Sequence, residues 1–287
     1  MKAYIIDTET TSADDTAEVI EAAWIDQETG EEYCERFHPV GPISFGAMAV
    51  HHIMLHDLSL CRDSAEFTPP DCMFFIGHNV DFDWRVIGSP DVKRICTLAL
   101  SRYLWPETDS HKQGAMMYFL FGADAQEIVK GAHNALEDVR MCQMILHACV
   151  GELAQRGVCV DTWEAIWQAS EVARVPTVMS FGKHKGAPIK EVPEDYIRWY
   201  LKQAEKDEYL VVAFEAVQRQ RAADRERIMK AAREIKEARK KAGFTVLELA
   251  TAAGIELAAM SDIETGLTEA TPDQADAIGL TLQRGKA

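Results

Sequence analysis

The chain has no pair of cysteines at C-x-x-C spacing; its seven cysteines, at 34, 61, 72, 96, 142, 149 and 159, are odd in number. A disulfide framework or zinc ribbon is therefore not expected, and reduced, mostly buried thiols are. Long uncharged runs are also missing. The longest stretch without Asp, Glu, Lys or Arg, Phe37 to His56, is broken by Pro39, Gly41, Pro42, Gly46 and four histidines, which excludes it as a bilayer-spanning helix. The opening MKAYIIDTET reaches Asp7 and Glu9 at once and leaves no room for the apolar core of a secretion signal. A cytoplasmic protein without a membrane partner is the expectation. Neither internal repeats nor low-complexity tracts occur.

Positive charge is scarce as well. The 287 residues carry 30 Lys and Arg against 46 Asp and Glu, a net charge of -16. Residues 1–150 hold 10 basic and 24 acidic side chains, whereas residues 174–241 reverse the balance with 17 basic and 11 acidic. An acidic front half can meet a polyphosphate only through metal ions or local patches. What is present is an ordinary globular composition, 47% hydrophobic and 26% charged, with length enough for about two domains.

Short apolar runs at Ala3–Ile6, Val19–Ile25, Tyr33–Phe37, Met73–Ile76 and Lys93–Cys96 read as strands, the second and third forming a hairpin around Glu28-Thr29-Gly30. Helical periodicity marks Leu98–Leu104, Ala115–Phe121 and Asn134–Leu153. Strands followed by interleaved helices predict a mixed α/β layer. Further on, Asp161–Arg174 reads as a helix stopped at Pro176, Val178–Ile189 as a small hairpin around GKHKG, and Pro193–Gln203 as a helix with proline in its first turn. The run from Val217 to Lys241 is charged at most positions and reads as a solvated helix or linker, and Thr245–Leu282 holds three helix-sized apolar segments.

Asp7 and Glu9 are two apart in the first strand, so both side chains point to one face. Gly77-His78-Asn79-Val80-Asp81-Phe82-Asp83 follows an apolar strand and would put Asp83 in the first turn of a helix. In His133-Asn134-Ala135-Leu136-Glu137-Asp138, Asn134 and Glu137 have the spacing of an N-cap and its reciprocal partner. His133 then stays in the preceding loop, and Asp138 lies on the core-facing stripe with Cys142 and Ile145. Carboxylates beside apolar elements want a cation. Asp7, Glu9, Asp83 and Asp138 form a donor set suited to two hard divalent ions, with zinc disfavoured for want of thiolate and imidazole ligands at zinc spacing. Two such ions can clamp a phosphodiester, and an imidazole is suited to take the proton of an attacking water.

At these residues the sequence resembles the DEDDh 3'-to-5' exonucleases of the RNase H-like fold: IDTET, HNVDFD and HNALEDV reproduce their D-x-E, H-N-x-x-F-D and H-x4-D motifs in order. The resemblance implies that Asp7, Glu9, Asp83 and Asp138 hold two Mg or Mn ions and that His133 is the general base. It is closer to one branch of that family through PISFGAMAVHHI, ICTLALSRYLWP and MSFGKHKGAPIKEVPEDYIRWYL, and covers about residues 3–210. That branch implies release of 5'-mononucleotides from DNA 3' ends, single strands above all.

Other residues carry two readings. Thr8 and Thr10 can hold a terminal 3'-hydroxyl or reflect strand propensity; His51 corresponds to a family position near the terminal nucleotide, or is structural. His78 and Asn79 brace the turn before Asp83. Trp105 stacks on a base or packs in the core. Lys183 and Lys185 at the tip of GKHKG contact phosphate, or the loop is a plain turn. The segment from Lys236 to Gly266 resembles the helix-turn-helix of phage-repressor-type regulators, yet Glu256–Glu264 offers no Arg, Lys, Asn or Gln to read bases, while Asp262 and Glu264 repel phosphate. A protein-contact or degenerate module is favoured there.

The sequence thus predicts an RNase H-like α/β fold with a mixed central sheet, a hairpin-helix appendage and a helical C-terminal module. Residues 1–158 would be the exonuclease domain, 174–215 the basic appendage, 216–241 a charged linker and 242–287 the repressor-like module. The expected activity is metal-dependent 3'-to-5' hydrolysis of DNA. An exoribonuclease and a DNA-bound regulator are the alternatives.

Overall fold

The structure, a computed structural model, describes residues 2–131 and 133–285. The chain divides into two compact units, residues 1–175 and 176–287.

Six strands form the sheet of the first unit: β1 (Ala3–Thr10), β2 (Val19–Asp26), β3 (Glu32–His38), β4 (Arg62–Asp63), β5 (Phe74–Gly77) and β6 (Lys93–Cys96), in the order β4-β3-β2-β1-β5-β6. β1 runs antiparallel to β2 and parallel to β5, so the sheet is mixed. The first strand continues four residues past its apolar run, because Asp7 to Thr10 still pair with β2. β4 was not foreseen; only two residues pair there, in parallel with Phe37 and His38, and a ladder that short has no local pattern.

Helices α1 (Phe45–His51), α2 (Asp81–Val86), α3 (Thr97–Leu104), α4 (Gln113–Phe121), α5 (Ala125–Ile128), α6 (Ala135–Gln155) and α7 (Trp163–Arg174) complete this unit. The main core joins Ile5, Ala23, Ile76 and Ile95 of the sheet to Val139, Cys142, Ile145 and Cys149 of α6. Odd-numbered β1 residues thus face α6. Even-numbered Ile6 packs on the opposite face with Phe75, Val80 and Cys96. Asn134 caps α6 by accepting from the Glu137 N–H at 3.4 Å, but the Glu137 carboxylate pairs with Arg140 instead of returning to the cap.

The first unit extends beyond the expected boundary at 158 because α7 belongs to it. Ile166 of α7 is part of the main core, and the buried Ser170 hydroxyl accepts the Cys96 N–H at 2.9 Å. Three cysteines are buried, Cys96, Cys142 and Cys149, while Cys34 and Cys159 are exposed; fewer thiols are covered than expected.

In the second unit Val178 and Pro188 form an antiparallel bridge, and Gly182–His184 make a 3-10 turn at its tip. α8 (Glu194–Tyr200) follows, then α9 (Glu208–Lys241), α10 (Val246–Ala253), α11 (Leu257–Thr265) and α12 (Pro272–Arg284). α9 begins nine residues before the charged run, and its first turns bury Leu210, Ala213 and Phe214. The expected linker is therefore the continuation of a helix rooted in a core. The three helices expected after 242 are present, around Phe244, Leu249, Ala250, Met260 and Ile278. Capping boxes Thr245/Glu248 and Thr271/Gln274 start α10 and α12. Gly266 ends α11 with φ +73, a left-handed conformation that favours glycine, and a Cβ there would press on the flexible Met229 side chain of α9. Among the described residues, no helix is long and apolar enough to cross a membrane.

Candidate active site

β1 pairs with β5 only at Ala3, Tyr4 and Ile5. Its second half, still paired with β2, therefore runs on past the carboxyl ends of the parallel strands β5 and β6, the side of the sheet where α/β folds place their ligands. Asp7 and Glu9 share the β1 face that meets α6, and Asp138 comes from the first turn of α6. One carboxylate oxygen from each of Asp7, Glu9 and Asp138 lies within 4.8 Å of the other two.

Asp83 enters from α2 and is fixed by Thr8: the Thr8 N–H and hydroxyl both donate to Asp83 Oδ1, at 3.0 and 2.7 Å. α2 is itself anchored by Asp81, which accepts from Arg94 and Arg174. Asp83 is outside the 4.8 Å trio, yet it repels Asp7 more than any other acid does.

Burial and mutual repulsion dominate the electrostatics. Desolvation first, then Asp83, Asp138, Glu9 and Glu21, hold Asp7 well above the usual carboxylate range. The same effects push Glu9 up to about 8. Asp83 is raised by burial even though the Thr8 donors oppose it, and Asp138 is raised by burial against the His133 N–H. Four acids so placed cannot all ionise without a cation among them. The all-oxygen donor set fits Mg or Mn, and the upward shifts are those that a divalent ion would relieve.

A fifth buried acid, Glu21, was not singled out from the sequence. It pairs with Arg36, its cross-strand neighbour, and its Oε1 accepts the Ala135 N–H at 3.1 Å, tying β2 to the start of α6. The signal was available: one acid inside the apolar strand VIEAAWID demands a partner.

His133 is exposed on the rim, in the left-handed region at φ +69, and its N–H donates to Asp138 Oδ1 at 3.4 Å. His51 is buried. Its Nδ1 accepts the Ile53 N–H at 3.0 Å, so its Nε2–H faces the Thr10 carbonyl at 3.3 Å; burial lowers its pKa. Such a neutral, doubly bonded ring is a brace for the end of β1. The Thr10 hydroxyl donates to the Ser12 carbonyl at 2.6 Å. Both threonines thus use their hydroxyls within the protein.

His78 donates from Nε2 to the His111 carbonyl at 2.8 Å, and its Nδ1 lies 2.9 Å from the Thr97 hydroxyl; desolvation holds it down at about 4, hence neutral. Asn79 takes the left-handed turn at φ +76 that leads into α2. Trp105 packs on Phe119, ring centroids 5.6 Å apart. Lys183 and Lys185 are exposed in the second unit, with Lys183 Nζ 5.4 Å from the Tyr196 ring centroid.

Comparison with known proteins identifies relatives. Exodeoxyribonuclease 10 of Escherichia coli strain K12 is 29% identical over 208 residues, spanning 68% of this chain and 88% of its own length; the protein of the same name from Escherichia coli O6:H1 matches equally. The solved structure "Exonuclease X in complex with 5' overhanging duplex DNA" is 24% identical, with a TM-score of 0.44 over 58% of this chain and 99% of that one. Residues 170–207 match a family described as "Putative quorum-sensing-regulated virulence factor"; they span the end of α7, the bridge and α8. The branch anticipated from PISFGAMAVHHI and MSFGKHKG is that of these relatives: over 208 residues the chain is similar to exodeoxyribonuclease 10.

Proposed function

We propose that the chain is a metal-dependent 3'-to-5' exodeoxyribonuclease of the DEDDh type, releasing 5'-mononucleotides from DNA ends. The observation that carries this reading is the gathering of Asp7, Glu9 and Asp138 within 4.8 Å, with Asp83 held beside them by Thr8. These four carboxylates would hold two Mg or Mn ions. The chemistry supplied by such ions is neutralisation of the phosphodiester and acidification of water. The protein's own residues do the rest: Thr8 orients Asp83, Glu21 and Arg36 fix the start of α6 and so Asp138, and the His133 imidazole on the rim takes the proton of the attacking water.

The same reading places catalysis in the first unit and assigns the second unit to contacts. Lys183 and Lys185 would touch the strand. Residues 242–287 would meet a protein partner, because α11 carries Asp262 and no basic side chain; Glu264, expected to repel phosphate, is buried against Arg239 and does not face a ligand. The cytosol suits the exposed thiols of Cys34 and Cys159.

The test is hydrolysis of end-labelled oligomers. With Mg or Mn the full-length protein should shorten DNA from the 3' end to mononucleotides, stop on adding EDTA, and leave a matched RNA less degraded. Asp7→Ala should abolish turnover and His133→Ala should lower it by a factor on the order of 100 to 10,000. Unchanged rates in both variants would refute the site.

A further inference from the structure

Most cations of the first unit are consumed by carboxylates. Arg36, Arg62, Lys93, Arg94, Lys130 and Arg140 each form an ion pair. Arg85 lines a separate hollow with Asp14 and Asp15. Arg102 and Lys112 differ: among the described residues neither forms an ion pair, both are exposed, and both line the same open cleft of about 570 Å³.

This cleft adjoins the carboxylate site. One wall is His78 and Asn79, which lead into α2 and Asp83; another is Gln113, whose side-chain amide donates to the Asp138 backbone carbonyl. The histidines in the wall are tied up within the protein, His78 to the His111 carbonyl and His111 Nε2 to the Thr108 hydroxyl at 2.7 Å and the Trp105 carbonyl at 2.9 Å. Asp109 also lines the cleft, so two cations face one anion. The excess is a single positive charge at the edge of a strongly acidic site, which suits one phosphodiester better than a run of them.

We propose that this cleft, through Arg102 and Lys112, binds a phosphate of the DNA strand other than the one being cleaved. The proposal rests on the nuclease reading and adds to it a positive contact within the first unit, next to the acidic site.

Two measurements on the full-length protein test it. In the first, binding of a fluorescent single-stranded oligomer is followed by anisotropy in EDTA at several salt concentrations. Arg102→Ala and Lys112→Ala should each weaken binding about fivefold to tenfold and flatten the logarithmic salt dependence by about one unit or slightly less. Asp109→Asn should tighten it, a gain that a damaged fold would not produce. In the second, the 4-nitrophenyl ester of thymidine 5'-phosphate, which carries one phosphate only, is hydrolysed with Mn. The lysine and arginine variants should match the wild type on this ester within about twofold, while their KM for the oligomer rises in step with the lost affinity. Wild-type affinity and salt slope in both variants would overturn the proposal, as would equal slowing on the ester and the oligomer. If the wild type hydrolyses neither substrate, the nuclease reading fails, and the binding measurement still decides the cleft.

Discussion

The two units treat buried acid in opposite ways. Glu264 of the second unit is met by Arg239 at both carboxylate oxygens, at 2.6 and 3.0 Å, and the same guanidinium donates to the Phe244 carbonyl at 2.7 Å. Its charge is paid for locally and locks α11 to the end of α9. Asp7 of the first unit is surrounded by Asp83, Asp138, Glu9 and Glu21, and among the described residues only Glu21 of these is neutralised by an arginine. A buried acid with a cation of its own is a structural tie. A cluster of acids that raise one another is a demand for an external cation, and this separates the candidate site from the merely charged interior of the second unit.

The same chemical change should therefore have opposite consequences. Asp7→Asn is expected to lower turnover by a factor on the order of 1,000 or more, from several kcal/mol of lost transition-state stabilisation, yet to raise the melting temperature measured in EDTA at about pH 8. A variant that loses activity and also melts lower would break the contrast. Glu264→Gln leaves a buried guanidinium without its carboxylate and should destabilise the second unit by about 3 to 5 kcal/mol. Chemical denaturation checks this, and pairing the change with Arg239→Met should recover much of the loss.

Thr8→Val removes one of two donors to Asp83 Oδ1 and keeps the backbone one. Calorimetric titration with Mn should show affinity reduced by about tenfold, with Tm in EDTA barely changed. The smallest effect concerns pH. Glu9 sits at about 8, and Asp7, Asp83 and Asp138 are all raised by burial. The folded protein thus binds protons more tightly than the unfolded chain. The associated stability is full below the ordinary carboxylate range, about pH 4, and is lost as pH rises through the folded values. In EDTA the protein should melt several degrees lower at about pH 8.5 than at about pH 5, and Mg or Mn should remove most of the difference. A melting temperature that rises with pH in EDTA would contradict the shifts.

Much of this was written in local pattern. Alternation placed Asp7 and Glu9 on one face, and the Asn134 cap set the start of α6 and hence the place of Asp138. Other features had no local signature. The expected end of the first domain at 158 missed α7, whose attachment rests on Ser170 meeting Cys96, 74 residues away. The first nine residues of α9 were passed over because an apolar stretch and a charged one sit side by side in a single helix, and only burial against the second unit's core gives them one continuous role. His51 and Thr8 have functional and structural readings that look alike in sequence; their hydrogen bonds to β1 and to Asp83 assign what they hold.

By itself, then, the sequence determined the strands, the helix caps and the identity of the acids, because period, capping and turn chemistry act over a few residues. Tertiary structure alone decided which acids met a basic partner and which met one another. Arg36 reached Glu21, Arg94 and Arg174 reached Asp81, and Arg239 reached Glu264, while Asp7, Glu9 and Asp138 were brought against one another. Charges interact over a few ångströms of space whatever their separation along the chain, so their pairing is settled only once the chain has folded.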